Sequence, residues 1–206
     1  MYATYVSSSS SSGARSLEEI RRELGEGWQW HRIQAEPCPQ CGDYPAALSP
    51  SSLGACAVER ATAWRDFLRA ADEGYLRRSP AFGVFSPIQY GAHVRNILQV
   101  YTDRMLLGVE RENPVVPIHN PPDEEWESYN RLDREMLAAD IEAQARRLAN
   151  VVEAMDPSAW SRIVTNDRGS YGVYTFTISG LACNAVHEAY HHLLDAKGML
   201  NQGSSS

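Results

Sequence analysis

Residues 177–197 carry apolar side chains at Ile178, Leu181, Ala182, Ala185, Val186, Ala189, Leu193 and Ala196, the spacing of one face of an α-helix. Gly198 follows as a helix-ending residue. Roughly opposite that stripe stand His187 and His191, beside Asn184. Two imidazoles one turn apart project from the same side of a helix and can close on one divalent metal ion.

Three further long helices are predicted. The first runs from about Ser51 or Ser52 to Ala71, with Trp64, Phe67 and Leu68 on its apolar side. The second begins at Ser86 as N-cap with Pro87 at the first helical position and extends to about Gly108. A turn over 123–129 precedes the third, which covers about Arg131 to Met155. Between the third and fourth helices, 163–176 reads as an irregular hairpin. The simplest way to bury these faces is an all-α four-helix bundle over 51–199. A loop-rich N-terminal extension over 16–50 precedes it, holding a Cys-x-x-Cys loop and a short helix over 16–24 whose Ser16 and Glu19 are spaced as a capping box. The Ser-rich segment 1–15 and the tail 200–206 are expected to be disordered.

Composition narrows the function. A chain of 206 residues, 43% hydrophobic and 22% charged, can bury one good core. Its net charge of −7, with no stripe of Lys and Arg, argues against nucleic acid. No apolar run is long enough for a membrane span or a secretory signal. Four cysteines are too few for a disulfide scaffold. The expectation is a cytoplasmic protein acting on a small molecule, with a homodimer as the assembly if one forms.

A metal site needs a third ligand beyond His187 and His191. His93 lies at the margin of the second helix, beside the stripe Tyr90, Val94, Ile97, Leu98, Tyr101 and Met105, where a side chain can look into a cleft. That makes it the leading candidate. The plain alternative is a hydrogen-bonded surface histidine. His192 reads as a surface or supporting group, and His31 and His119 as loop residues. His187-Glu188-Ala189-Tyr190-His191 also satisfies the HExxH pattern of zinc peptidases, yet little chain remains to supply their third ligand. Cys38 and Cys41 offer half of a zinc site that His31 or Cys56 would have to complete; without a full four-ligand pattern they read as a turn or a redox-sensitive pair and are not counted as ligands. Asn184 lies one turn before His187. Arg162, Asp167 and Arg168 stand in the loop before the last helix, where they bind an anionic substrate or serve only as solvated or capping groups.

From Cys38 to about Lys197 the chain resembles the DinB-like superfamily of four-helix metalloproteins, especially the actinobacterial members grouped with mycothiol-dependent maleylpyruvate isomerase. The ordered motifs carry the likeness: Cys38-Pro39-Gln40-Cys41-Gly42; Phe85-Ser86-Pro87 with His93-Val94-Arg95; Tyr129-Asn130-Arg131-Leu132-Asp133; and Phe176-Thr177 followed by His187 and His191-His192-Leu193-Leu194-Asp195. The resemblance implies a metal held by one histidine of the second helix and two residues a turn apart on the last, here His93, His187 and His191. The isomerase uses Glu at the first of those two last-helix positions. An all-histidine set looks more like the family's bacterial thiol transferases.

Such a site implies a divalent ion, zinc first, with nickel or iron also accepted by imidazole. Three protein ligands leave an open position where water or a thiol loses its proton near neutral pH. The resemblance thus implies a metal-dependent, thiol-using transferase or isomerase acting on a small electrophile, with a low-molecular-weight thiol such as mycothiol as co-substrate. Asn184, Arg162 and Arg168 are the candidate catalytic side chains. The alternatives are a metal-hydroxide hydrolase on the same triad, a non-catalytic metal-binding protein and, last, the HExxH peptidase.

Overall fold

Apolar residues recurring at helical spacing dictate four long helices: α1 (Leu53–Ala70), α3 (Pro87–Glu110), α5 (Arg134–Glu153) and α6 (Ile178–Ala196). The short helices α2 (Glu73–Leu76) and α4 (Asp123–Ser128) lie in the connections. The computed structural model describes residues 30–81, 83–117, 123–167 and 172–198. The expected helix over 16–24, both expected tails, His119 and Arg168 lie outside the described residues.

The long helices form a ring in which α1 packs on α5 and α6, and α3 packs on the same two. Consecutive long helices α1 and α3 therefore face each other across the diagonal. The centre is filled by Trp64, Leu98, Met105, Leu137, Ile141 and Leu148, all without solvent exposure or nearly so. The Trp64 indole N–H donates to the Ala189 carbonyl at 2.7 Å, anchoring α1 to α6. Helix starts follow local chemistry. Ser86 accepts from Gln89 N–H while the Gln89 side chain accepts from Ser86 N–H, a complete capping box. Asp133 accepts from two amides at the start of α5, and Thr177 from Gly180 N–H at the start of α6.

The expected hairpin forms as strands β2 (Ile163–Asp167) and β3 (Val173–Thr177), antiparallel with Ile163 opposite Thr177 and Asp167 opposite Val173. A short strand β1 (Val115–Pro117) adds parallel to β2 and was not expected, because its exposed, three-residue length leaves no alternation to read. The hairpin docks where α3 ends: a Cβ on Gly108 would lie 2.6 Å from Val164 Cγ2.

The N-terminal extension lies against α6. Its 3₁₀ turn Trp30–Gln34 buries Ile33 and places Gln34 over the start of α6, where the side chain donates to the Thr175 carbonyl at 3.1 Å and accepts from Thr177 N–H at 3.2 Å. A Cβ on Gly180 would collide with Gln34 Oε1, so the absent side chain permits this approach. With α1 and α3 on other sides, α6 is buried nearly all round. His31, expected in a loop, belongs to that 3₁₀ turn and packs on Tyr174 with ring centroids 4.9 Å apart.

Candidate metal centre

Helix α6 carries two donor pairs at i, i+4 spacing, offset by one residue: His187 with His191, and Glu188 with His192. At 3.6 residues per turn, neighbouring residues point about 100° apart, so the two pairs look toward different partners.

Glu188 and His192 face α3. Glu188 Oε2 lies 2.9 Å from His192 Nε2 and 3.4 Å from His93 Nε2. One donor atom from each of the three lies within 4.8 Å of the others, and all three side chains are buried. Behind them, Asp195 Oδ2 lies 2.8 Å from the other ring nitrogen of His192, Nδ1. A carboxylate behind a histidine fixes which nitrogen faces forward and is a recurrent support for metal-ligating imidazole.

Electrostatics prepare these groups for a cation. Burial pushes the His93 pKa down to about 4, against the pull of Glu188, so its ring is neutral with a lone pair to give. Burial would raise the Glu188 carboxyl, but hydrogen bonds with His192 and His93 outweigh it and hold the carboxylate ionised. His192 is disfavoured as a cation by burial, yet Asp195 and Glu188 together raise its pKa above the ordinary histidine value. Two carboxylates thus surround one imidazole in a largely buried setting, where a divalent ion would compensate their charge. Nitrogen and oxygen donors of this kind suit zinc and other first-row ions.

The walls around this centre are aromatic. Tyr90 stacks on His192 with centroids 5.2 Å apart, and Phe85 and Trp126 lie 6.3 and 5.9 Å from His93. Asn184, one turn before Glu188, is fully buried, and among the described residues neither polar atom of its carboxamide meets hydrogen-bond geometry. The nearby Tyr101 phenol is pushed up by burial and by the Glu188 charge, with Asn184 opposing.

The other pair, His187 and His191, turns to the N-terminal extension. Cys41 Sγ lies 3.5 Å from His187 Nε2, and Cys38 Sγ lies 3.7 Å from His191 Nδ1. The Cys38 thiol is pulled down to about 2, first by the Cys41 thiol and then, against burial, by His187 and His191, while Cys41 is pushed up by Cys38 and by burial.

The expected triad is therefore divided: His93 joins Glu188 and His192, whereas His187 and His191 join Cys38 and Cys41. His93 meets the donor pair one residue on from the expected one, and the extension, whose docking is not readable from sequence, covers the face that His187 and His191 present. The HExxH arrangement is not built either. Glu188 is occupied by His93 and His192, away from the His187–His191 pair it would have to serve. His192, expected at the surface or in support, is buried at the centre of the first group. Arg162 caps a helix end, donating to the carbonyls of Val109 at 2.7 Å and Arg111 at 3.0 Å. Asp167 is exposed at the end of β2. Glu188, His192, Cys38 and Cys41, not expected among the ligands, stand in these donor groups; the second i, i+4 pair and the Cys-x-x-Cys-Gly sequence were the signals for them.

Similarity to known proteins agrees with this architecture. No curated protein matches the sequence significantly. Among solved structures, YfiT from Bacillus subtilis, described as a probable metal-dependent hydrolase with an unusual four-helix bundle topology, superposes with a TM-score of 0.63 at 12% identity, covering 76% of this chain and 89% of YfiT. The profile of the DinB superfamily matches residues 58–196, a span that holds most of α1 and all of α3, α5 and α6, with His93, Glu188 and His192. The chain belongs to the DinB superfamily.

Proposed function

We propose that the protein is a metal-dependent enzyme whose divalent ion is held by His93, Glu188 and His192, and that it uses a low-molecular-weight thiol of the mycothiol type to transfer to, or isomerise, a small electrophile. The observation that carries this reading is the buried His93–Glu188–His192 group with Asp195 behind His192.

A divalent ion held by these residues would supply a Lewis acid that lowers the pKa of a thiol beside it. Three protein donors leave room for such a ligand. Glu188 and His192 keep the donor set anionic and oriented, and Asp195 holds the His192 proton on Nδ1. Phe85 and Trp126 exclude water and offer flat apolar contact to an unsaturated or aryl electrophile. Asn184 presents a buried amide that can orient a polar group of the same molecule.

The test loads the full chain with zinc and follows chlorodinitrobenzene consumption and maleylpyruvate isomerisation, with and without mycothiol. Thiol-dependent turnover that is lost in Glu188→Gln and His93→Ala supports the proposal. Turnover of ester or amide substrates with no thiol requirement, lost in the same variants, replaces it with hydrolysis, the reading favoured by the description of YfiT. Metal bound at this group without turnover in any of these assays overturns an enzymatic role of the kind proposed.

A further inference from the structure

We infer that Cys38, Cys41, His187 and His191 form a second metal site, a closed Cys₂His₂ zinc centre that fastens the N-terminal extension to the last helix. It is independent of the reading above, sharing no ligand with His93, Glu188 and His192.

Geometry supports it first. For Zn–S bonds of about 2.3 Å and Zn–N bonds of about 2.0–2.1 Å at the tetrahedral angle, a sulfur and a nitrogen on the same ion lie about 3.6 Å apart. The two Sγ–N separations are 3.5 and 3.7 Å, and one donor atom from each of the four residues lies within 4.8 Å of every other. The histidines use different nitrogens, Nε2 of His187 and Nδ1 of His191, so that two rings a turn apart converge on one point.

The loop has the form a metal requires. Gly42 N–H donates to the Cys38 carbonyl at 2.8 Å, Cys38 N–H donates to the Asp43 carbonyl at 2.9 Å, and Gly42 sits at φ +72°. The resulting tight turn, closed by a glycine in the left-handed region, points both thiols the same way. Its position is fixed from outside the donor set as well. Arg60 of α1 donates to both Asp43 oxygens at 2.6 and 2.8 Å and to the Val186 carbonyl at 2.8 Å. Asp195 backs His191, with Oδ2 3.5 Å from Nε2.

Four protein donors fill a tetrahedral ion, leaving no position for substrate, which is the mark of a structural site. Cys38, His187 and His191 are buried and Cys41 half-buried. Two thiolates neutralise the two charges of zinc, so the filled site carries little net charge into the interior. Soft sulfur with imidazole in tetrahedral array selects zinc over magnesium or calcium. The bond joins positions far apart in sequence and holds the face of α6 next to Glu188 and His192.

Replacement of the purified protein's metal by cobalt tests this in the full chain. Tetrahedral thiolate–cobalt coordination gives intense visible bands and a near-ultraviolet charge-transfer band, which an all-nitrogen and oxygen site does not give. The expected result is that wild type and His93→Ala both show these bands, that Cys38→Ser/Cys41→Ser loses them entirely, and that the double variant binds one equivalent less zinc per chain by elemental analysis. Reduced wild-type protein that binds cobalt without charge-transfer absorption overturns the proposal, as does a Cys38–Cys41 disulfide in protein purified with zinc and without oxidant. Neither outcome depends on a variant folding. Loss of turnover with these bands intact would fault the proposed enzymatic function alone.

Discussion

His191 and His192 are consecutive in the chain, yet their rings stand at 89° with centroids 5.4 Å apart and serve different donor groups. One carboxylate oxygen, Asp195 Oδ2, reaches both, at 2.8 Å from His192 Nδ1 and 3.5 Å from His191 Nε2. Replacing Asp195 by Asn removes the charge that orients His192, and supporting carboxylates of this kind are worth about 10–100-fold in metal affinity. Asp195→Asn should weaken zinc binding at the His93 group by that factor and at the cysteine group by less. Competition against a chromophoric chelator measures both, and unchanged affinities would refute the supporting role.

Arg162 separates substrate binding from helix capping. Its guanidinium is committed to the carbonyls of Val109 and Arg111 at the end of α3. Arg162→Ala should cost about 1 kcal/mol in urea denaturation and leave KM and kcat unchanged. A rise in KM with stability intact would return this residue to the substrate site.

Gly54 marks the closest approach of α1 to α5. A Cβ there would lie 2.9 Å from the Ala149 Cα, a backbone atom that no rotamer change can move. Alanine gains about 1 kcal/mol in helix propensity, but overpacking of this sort costs about 1–3 kcal/mol. The net effect of Gly54→Ala should be destabilisation, read as a lower urea midpoint; a higher midpoint would show that the two helices part freely.

Ser86 sets the start of the helix that carries His93. Besides its capping box it donates to Asn130 Oδ1 at 2.6 Å, tying α3 to the turn before α5. Ser86→Ala should lower stability by roughly 1–2 kcal/mol, with Ser86→Thr recovering part of it in thermal melts. Equal stability of wild type and Ser86→Ala would mean the cap contributes nothing.

The helical frame was legible because its punctuation is local. Ser86-Pro87 opens α3, Thr177 opens α6, and Gly198, at φ +69°, follows its end. Helix α1 begins one or two residues later than expected and α5 three, where Leu53 and the Asp133 cap set the first turn. The donor groups were only half legible. Residues 187–192 contain two donor pairs of identical spacing, and helical periodicity ranks neither above the other. The choice depends on what covers each face, which for His187 and His191 is a loop nearly 150 residues earlier. Reading the apolar stripe as the whole buried surface of α6 placed these histidines outside it. In the fold they are as buried as the stripe, because the extension supplies a further wall.

The diagonal placement of α1 and α3 bears on biosynthesis. Helices made one after the other share no long interface, and each is bridged to the other by α5 and α6. Cys38, Cys41 and His93 precede α6 in the chain, whereas Glu188, His192, His187 and His191 all belong to it. Neither donor group is complete until that helix has emerged. Assembly of either donor group therefore waits on the docking of α6 against α3 and against the extension.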